Sequence, residues 1–480
     1  MNKLKYLTKF GISLISLTTI ITCSDLQQKG QSSKPNIVLI YLDDMGFGDL
    51  TITGATNYST PNLDKIANHG IFFSHYYSPQ AVCSASRAGL LTGCYPNRIG
   101  ITGALSHRST TGISDDEETI AQVLKKKGYA TAIFGKWHLG YQKQFLPTKH
   151  GFDEFYGIPY SHDMWPLHPT GTYPNLPLYE NETIVNPDIK PEDVAHFTAD
   201  FAQKTIDFIK RNQDKPFFVY CPNPLPHVPL YASEKFKGKS KQGMYGDVMM
   251  EIDWGIGKIM KTLEETGLDK NTLIIFTSDN GPWLNYGNHA GTTGGLREGK
   301  GTSFEGGQRV PCLMMWKGVI PEGIVCNNLV SGIDILPTLA NIADAPLPKN
   351  KIDGVSLLPL LKGDFEVNPR ETFYYYYRTN SLEAIRHGSW KLVFPHPGRT
   401  YEGFQPGYDG KPGQVNGNFQ FEGGLYDLRR DPGERYDVSE SYPEIVKKLT
   451  KIAEEARQDL GDDLTDNPGK NRREPGRIIQ

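Results

Sequence analysis

Three places in the chain carry side chains whose type and spacing suit chemistry. The first is Asp43-Asp44, which follows the apolar run Asn36-Ile37-Val38-Leu39-Ile40-Tyr41-Leu42 without a break. The second is Asp279-Asn280-Gly281, which follows Asn271-Thr272-Leu273-Ile274-Ile275-Phe276-Thr277-Ser278 in the same way. One carboxylate pair at a strand end ordinarily shapes a turn or caps a helix. Two such groups after two such runs offer several hard oxygen ligands with no His or Cys among them, which suits calcium or magnesium. The third place is Cys83, in Cys83-Ser84-Ala85-Ser86-Arg87-Ala88-Gly89-Leu90-Leu91-Thr92-Gly93. A lone Cys is by default a small buried hydrophobe. Here Arg87 follows four residues on, about one helical turn away if a helix starts at Cys83.

The surrounding elements must position these groups. A continuous apolar run reads as a strand buried on both faces, as in a parallel sheet flanked by helices. Phe217–Tyr220, Tyr129–Phe134 and Val310–Trp316 are further runs of this kind. Between them lie helical stretches. Thr119–Lys127 has acidic residues at its start, lysines at its end and Gly128 as a stop. Phe197–Arg211 and Tyr245–Thr266 are amphipathic. The alternation predicts an α/β domain over residues 35–361, with a large, mainly parallel sheet flanked by helices. Ligands gather beyond the carboxyl ends of such strands, where Asp43-Asp44 and Asp279-Asn280 stand. After Leu361 short strands follow at 372–377, 384–386, 390–393 and 425–428, then a helix over Tyr442–Leu460. They predict a smaller antiparallel sheet with one covering helix over residues 362–462. Residues 463–480 are polar and are expected to form a loose tail.

The 480 residues carry a formal net charge of only -3, so no overall basic field points to nucleic acid. Lys3, Lys5 and Lys9 precede an apolar stretch from Phe10 to Ile21. That stretch is shorter than the ~20 residues a spanning helix needs and reads as a signal peptide over residues 1–22. Cys23 directly after it is expected to be the lipidation site of a bacterial lipoprotein, with residues 23–34 as a tether. The plainer reading is a cleaved signal with an incidental Cys. Either way the protein is expected to be exported, to the periplasm or cell surface, and in the first reading the lipid at Cys23 is its only expected membrane attachment. Spacing does not decide whether Cys94, Cys221, Cys312 and Cys326 pair, and no Cys-x-x-Cys suggests zinc.

The Cys83 segment resembles the signature of type I sulfatases of the alkaline phosphatase superfamily. Their pattern is Cys-x-(Pro or Ala)-Ser-Arg followed by Leu-Thr-Gly, and Ala85 stands where Pro is commoner. The resemblance runs from about Pro35 into the C-terminal sheet. It includes Asp43-Asp44-Met45-Gly46, Thr60-Pro61-Asn62, Gly135-Lys136-Trp137-His138, Pro226-His227-Val228-Pro229, Asp279-Asn280-Gly281 and Gly299-Lys300-Gly301. It implies an alkaline-phosphatase-like fold and a maturation enzyme that converts Cys83 to formylglycine (3-oxoalanine). It implies one calcium ion per chain, held by Asp43, Asp44, Asp279, Asn280 and the modified Cys83. The aldehyde hydrate would be the nucleophile, and Asp279 would accept its proton. Arg87 would hold the diol and the ligands. Lys136 and Lys300 would act as point charges on sulfate oxygens. His138 would take a proton from the second hydroxyl, and His227 would protonate the leaving alcohol. The logic is sound for a sulfate ester, whose attack needs charge neutralisation more than a strong base.

The substrate side is less determined. His289 and Arg297 either bind a sugar or anion, or scaffold a loop. The loop His162–His168 and the segment His396–Phe421 are aromatic and polar, which fits sugar stacking or simple loop anchoring. His69, His75, His107 and His387 are expected to be structural. The leading expectation is a sulfatase acting on a sulfated carbohydrate; algal galactans such as carrageenan, ulvan, fucans and animal glycosaminoglycans all fit. One alternative is a phosphatase or phosphodiesterase with a second metal where Lys136 and Lys300 stand. The other is a glycan-binding lipoprotein without catalysis.

Overall fold

Asn36–Leu42 is buried along its whole length and lies in the middle of a ten-stranded sheet. The computed structural model describes residues 34–478, so the leader, Cys23 and the tether up to residue 33 lie outside the described residues. Five adjacent strands run parallel: Thr272–Ser278, Asn36–Leu42, Phe217–Pro222, Ala130–Lys136 and Glu154–Ile158. Beyond them the pairing turns antiparallel. Cys312–Met315 flanks Thr272–Ser278 on one side, and Leu178–Glu180 flanks Glu154–Ile158 on the other. The sheet is therefore mixed and mainly parallel at its centre.

Alternation along the central strand sends side chains into two separate cores. Val38, Ile40 and Leu42 pack with the helices Pro61–Asn68, Pro191–Arg211 and Met244–Glu265. Ile37, Leu39 and Tyr41 pack with Cys83–Thr92, Ile120–Lys125 and Ile335–Ile342. The helix at Ile120 starts where its chemistry demands. The Thr119 side chain accepts from the Gln122 amide, and the Gln122 side chain returns the bond to Thr119.

A four-stranded antiparallel sheet follows, in the order Thr372–Tyr377, Ser381–His387, Trp390–Val393, Gly424–Asp427. The helix Pro443–Leu460 covers it, placing Leu449, Ala453 and Leu460 in one core with Phe373, Tyr375 and Ile385. The aromatic segment His396–Phe421 contains a ribbon, His396–Thr400 against Asn416–Phe421.

The tail departs from expectation. Through residue 478 it is docked rather than loose. Arg473 pairs with Glu117 and donates its amide to the Arg98 carbonyl at 2.6 Å, and Gly476–Arg477 pairs with Thr111–Gly112. Arg472 and Arg473, which read as solvated in the sequence, reach the distant Asn97 carbonyl and Glu117. Cys83, Cys94, Cys221, Cys312 and Cys326 are all free thiols. Among the described residues no helix is long and apolar enough to cross a membrane.

Candidate active site

Strand register brings the two acidic motifs together. Leu42 lies opposite Ser278 in adjacent parallel strands, so Asp43-Asp44 and Asp279-Asn280 leave the sheet side by side. The neighbouring strands end at Lys136 and Pro222, which deliver Lys136, His138 and His227 to the same edge. This is the carboxyl edge at which open α/β sheets bind ligands. Asp44 and His138 hold left-handed backbone, φ 64° and 61°, a conformation few non-glycine residues adopt. Gly135, with φ 139°, admits the neighbouring strand; a Cβ there would meet the Pro222 carbonyl at 2.0 Å.

Cys83 is the first residue of the helix Cys83–Thr92, as the spacing to Arg87 required. Tyr41 of the central strand hydrogen-bonds Ser86 at 3.0 Å and lies beneath the Arg87 guanidinium. Arg87 donates to Asp279 at 2.8 Å, reaches Asp43 at 3.2 Å and bonds the Lys136 carbonyl. Lys136 donates to Asp43 and, at 2.9 Å, to Ser161. Lys300 lies 2.7 Å from Asp44. Asn280 donates to Asp44 at 2.6 Å, and Asp279 accepts the Asp44 amide at 3.2 Å. His227 Nε2 stands 3.5 Å from Asp44, while its Nδ1 faces the Val228 carbonyl. His138 Nε2 lies 2.6 Å from the Leu105 carbonyl. A carbonyl only accepts, so that nitrogen carries the proton and Nδ1 keeps a lone pair.

All of these groups are buried. Burial pushes Asp43 up, but the charges of Lys136, His227, Arg87 and Lys300 outweigh it and hold the carboxyl well below its usual range. Asp279 is pushed up to about 7 by burial and by the charge on Asp43. Burial also pushes the Cys83 thiol up to about 11, against the pull of Lys136 and Lys300. An unmodified Cys83 is therefore a neutral thiol at pH 7 and a poor nucleophile. Burial and the charges of Lys136 and Arg87 keep His138 neutral.

The oxygen set fits a hard cation. Asp43 Oδ1 and Asn280 Oδ1 are buried without a hydrogen-bond partner, which marks room for a ligand that is not protein. Asp43, Asp44 and His227 bring ligand atoms within 4.8 Å of one another.

The cluster opens on a cavity of about 620 Å3 that Cys83, His227, Lys300 and Trp283 line. A larger cleft of about 910 Å3, bordered by Arg309, Arg370 and Arg386, contains none of these residues. His289 and Arg297 are not among the cavity's lining residues. Arg297 lies over the Phe304 ring and donates to the Glu434 carbonyl, and His289 faces Gly410. Of the two readings open for them, the geometry supports scaffolding. Ser161, Asp163, Arg378 and Arg399 line the cavity although no motif singled them out. The only signal was the polar, aromatic character of the loop next to Ser161 and of the late insertion.

Known proteins resemble this chain over most of its length. The family model "Sulfatase" matches residues 35–345, and the model "C-terminal region of aryl-sulfatase" matches residues 368–474. The N-acetylgalactosamine-6-sulfatase of Canis lupus familiaris is 37% identical, over 92% of this chain and 90% of the relative. The crystal structure of a sulfatase from Pseudoalteromonas sp. superposes with a TM-score of 0.79 at 29% identity, over 89% of this chain and 90% of the other. A Bacteroides thetaiotaomicron structure, described in the context of glycosaminoglycan metabolism, gives a TM-score of 0.77 at 30% identity over 89% of this chain and all of the other. With the strand-end cluster and these matches together, the chain belongs to the sulfatase family and is a sulfuric ester hydrolase.

Proposed function

We propose that the protein releases inorganic sulfate from a sulfated carbohydrate, using an aldehyde formed at Cys83 and one calcium ion per chain. The observation that supports this most is the position of Cys83. It opens a buried helix, within the fields of Lys136 and Lys300, at a cavity that His227 also lines. A thiol at about 11 has little use there as such. A hydrated aldehyde offers a hydroxyl nucleophile in the same place. Asp43, Asp44, Asp279, Asn280 and the modified residue 83 would hold the calcium. Once bound, the ion supplies Lewis acidity toward that hydroxyl and a sulfate oxygen.

The chain's own groups divide the remaining work. Lys136 and Lys300, now turned to carboxylates, place two cations for the ester's oxygens. Arg87 fixes Asp43 and Asp279. His227, with Nδ1 committed to a backbone carbonyl, keeps Nε2 beside Asp44 to protonate the leaving alcohol. His138 offers Nδ1, which has no partner, as proton acceptor.

The wider setting belongs to the same proposal. A maturation enzyme modifies Cys83, a lipid at Cys23 anchors the exported chain in the periplasm or at the cell surface, and the catalytic and C-terminal parts divide near residue 361. The names of the relatives favour a sulfated glycan as substrate, with hexosamine or uronate-containing polymers and algal polysaccharides such as ulvan or carrageenan within that class. Peptide mass spectrometry of protein matured in a competent host should show aldehyde at position 83, and Cys83→Ala should abolish sulfate release. Unmodified Cys83 with full activity sinks the mechanism.

A further inference from the structure

Part of the cavity wall comes from the C-terminal region. Tyr377, Arg378 and Thr379 form the turn between the strands Thr372–Tyr377 and Ser381–His387, and Arg399 projects from the ribbon beside them. Arg378 and Thr379 both have left-handed backbone, φ 46° and 73°. Two consecutive non-glycine residues in this conformation are strained, and such strain persists where the surroundings hold it in place.

The two arginines differ from several other buried arginines. Arg87, Arg98, Arg370 and Arg457 each pair with carboxylates. Among the described residues, no carboxylate lies within 4.0 Å of Arg378 or Arg399. Arg399 reaches the Lys300 carbonyl at 3.5 Å and the Tyr401 hydroxyl at 3.3 Å. Arg378 reaches Asn418 at 3.4 Å and the Gly417 carbonyl. These neutral acceptors orient the guanidiniums and leave their charge uncancelled. The lysine whose carbonyl holds Arg399 is Lys300, which points its own ammonium into the acidic cluster. Among the described residues the one carboxylate lining the cavity is Asp163, whose Oδ1 is buried without a partner and suits a sugar hydroxyl.

We propose that Arg378 and Arg399 form a second anion subsite. The preferred substrate then carries another anionic group, a carboxylate or a further sulfate, beside the ester that is cleaved. The planar guanidinium fork matches either group. This rests on the sulfatase reading and deepens it.

The test compares four esters on the mature enzyme by sulfate release. They are 4-nitrophenyl sulfate, a monosulfated neutral disaccharide, the same disaccharide with a uronate, and the same disaccharide with a second sulfate. At least one dianionic sugar should exceed the neutral one in kcat/KM by about tenfold or more, through KM, with a margin that shrinks in high salt. The favoured arm identifies the group. Arg378→Gln and Arg399→Gln should each cut the margin several-fold, and Arg378→Lys should restore part of it. Variants whose melting temperature stays near wild type keep the comparison free of misfolding. Sulfate release with no preference among the sugars, or a margin untouched in both Gln variants, overturns the subsite alone. No release from any ester overturns the sulfatase reading and the subsite with it.

Discussion

Among the described residues, two buried clusters of charge are built to different rules. One is the strand-end cluster around Asp43, Asp44 and Asp279. The other lies where the C-terminal sheet meets the short helix Glu305–Gln308. There Glu305 accepts from Tyr77 and Tyr375, the latter at 2.7 Å. Lys391 sits 3.2 Å from Glu305 and 2.8 Å from Glu434, and Glu434 accepts the Glu305 amide at 2.7 Å. Both oxygens of Glu305 are used by protein donors. Burial raises that carboxyl, but Lys391, Arg386 and Arg309 win and hold it at about 2. Glu434 Oε1 has no hydrogen bond but lies 2.8 Å from the Lys391 ammonium, whereas in the strand-end cluster Asp43 Oδ1, Asn280 Oδ1 and His138 Nδ1 have no partner. Buried charge that protein donors satisfy is scaffold. Buried charge that they leave open is waiting for something else.

The comparison is easiest to break from the scaffold side. Lys391→Met leaves Glu305 and Glu434 buried together without their cation. It should destabilise the fold by about 3–5 kcal/mol, read from thermal or denaturant unfolding, while the surviving folded enzyme keeps its rate within a few-fold. An equal loss of activity per folded molecule would erase the distinction. The next effect comes from the open cluster. Saturating calcium should raise the melting temperature of the wild type, by the equivalent of about 2.7 kcal/mol at a hundredfold excess over Kd. A chelator should reverse the rise, and Asp43→Asn should abolish it. The same rise in both proteins places the ion elsewhere.

The smallest effect concerns a group in neither cluster. His150 is fully buried, stacks on Trp137 beside the Lys136 strand end, and is pushed down to about 4 by burial. In the unfolded chain it titrates near 6.5, so the unfolded state takes up the proton first as pH falls. The stability His150 contributes is complete above 6.5 and drains away toward 4. By pH 5 the loss is up to about 2 kcal/mol. His150→Phe should therefore lose less melting temperature than wild type between pH 7 and pH 5, by about 1–3 °C. Identical pH slopes would remove His150 from the balance.

What could be read in the sequence follows from locality. Asp43-Asp44 and Asp279-Asn280 end uninterrupted apolar runs, so strand, edge and side-chain chemistry were visible within a few residues. Cys83 and Arg87 share one helix. Ser161, Asp163, Arg378 and Arg399 come from turns and loops that only the fold brings to the cavity, and no local pattern distinguishes them from other polar loop residues. The same reason explains the tail. Arg473 looked solvated because its partner, Glu117, is far away in sequence. His289 and Arg297 sat in a suggestive stretch, but Phe304 and Glu434 claim Arg297 from outside it.

The sheet order also sets a timetable. The first strand among the described residues, Asn36–Leu42, lies in the middle of the sheet, and its two neighbours begin at Phe217 and Thr272. A chain emerging amino end first must hold that strand, and the Cys83 helix that packs on it, unfinished until Ser278 has been made. In the finished enzyme Cys83 is 3% exposed. Under the proposed maturation, the enzyme that modifies Cys83 would have its opportunity in that interval.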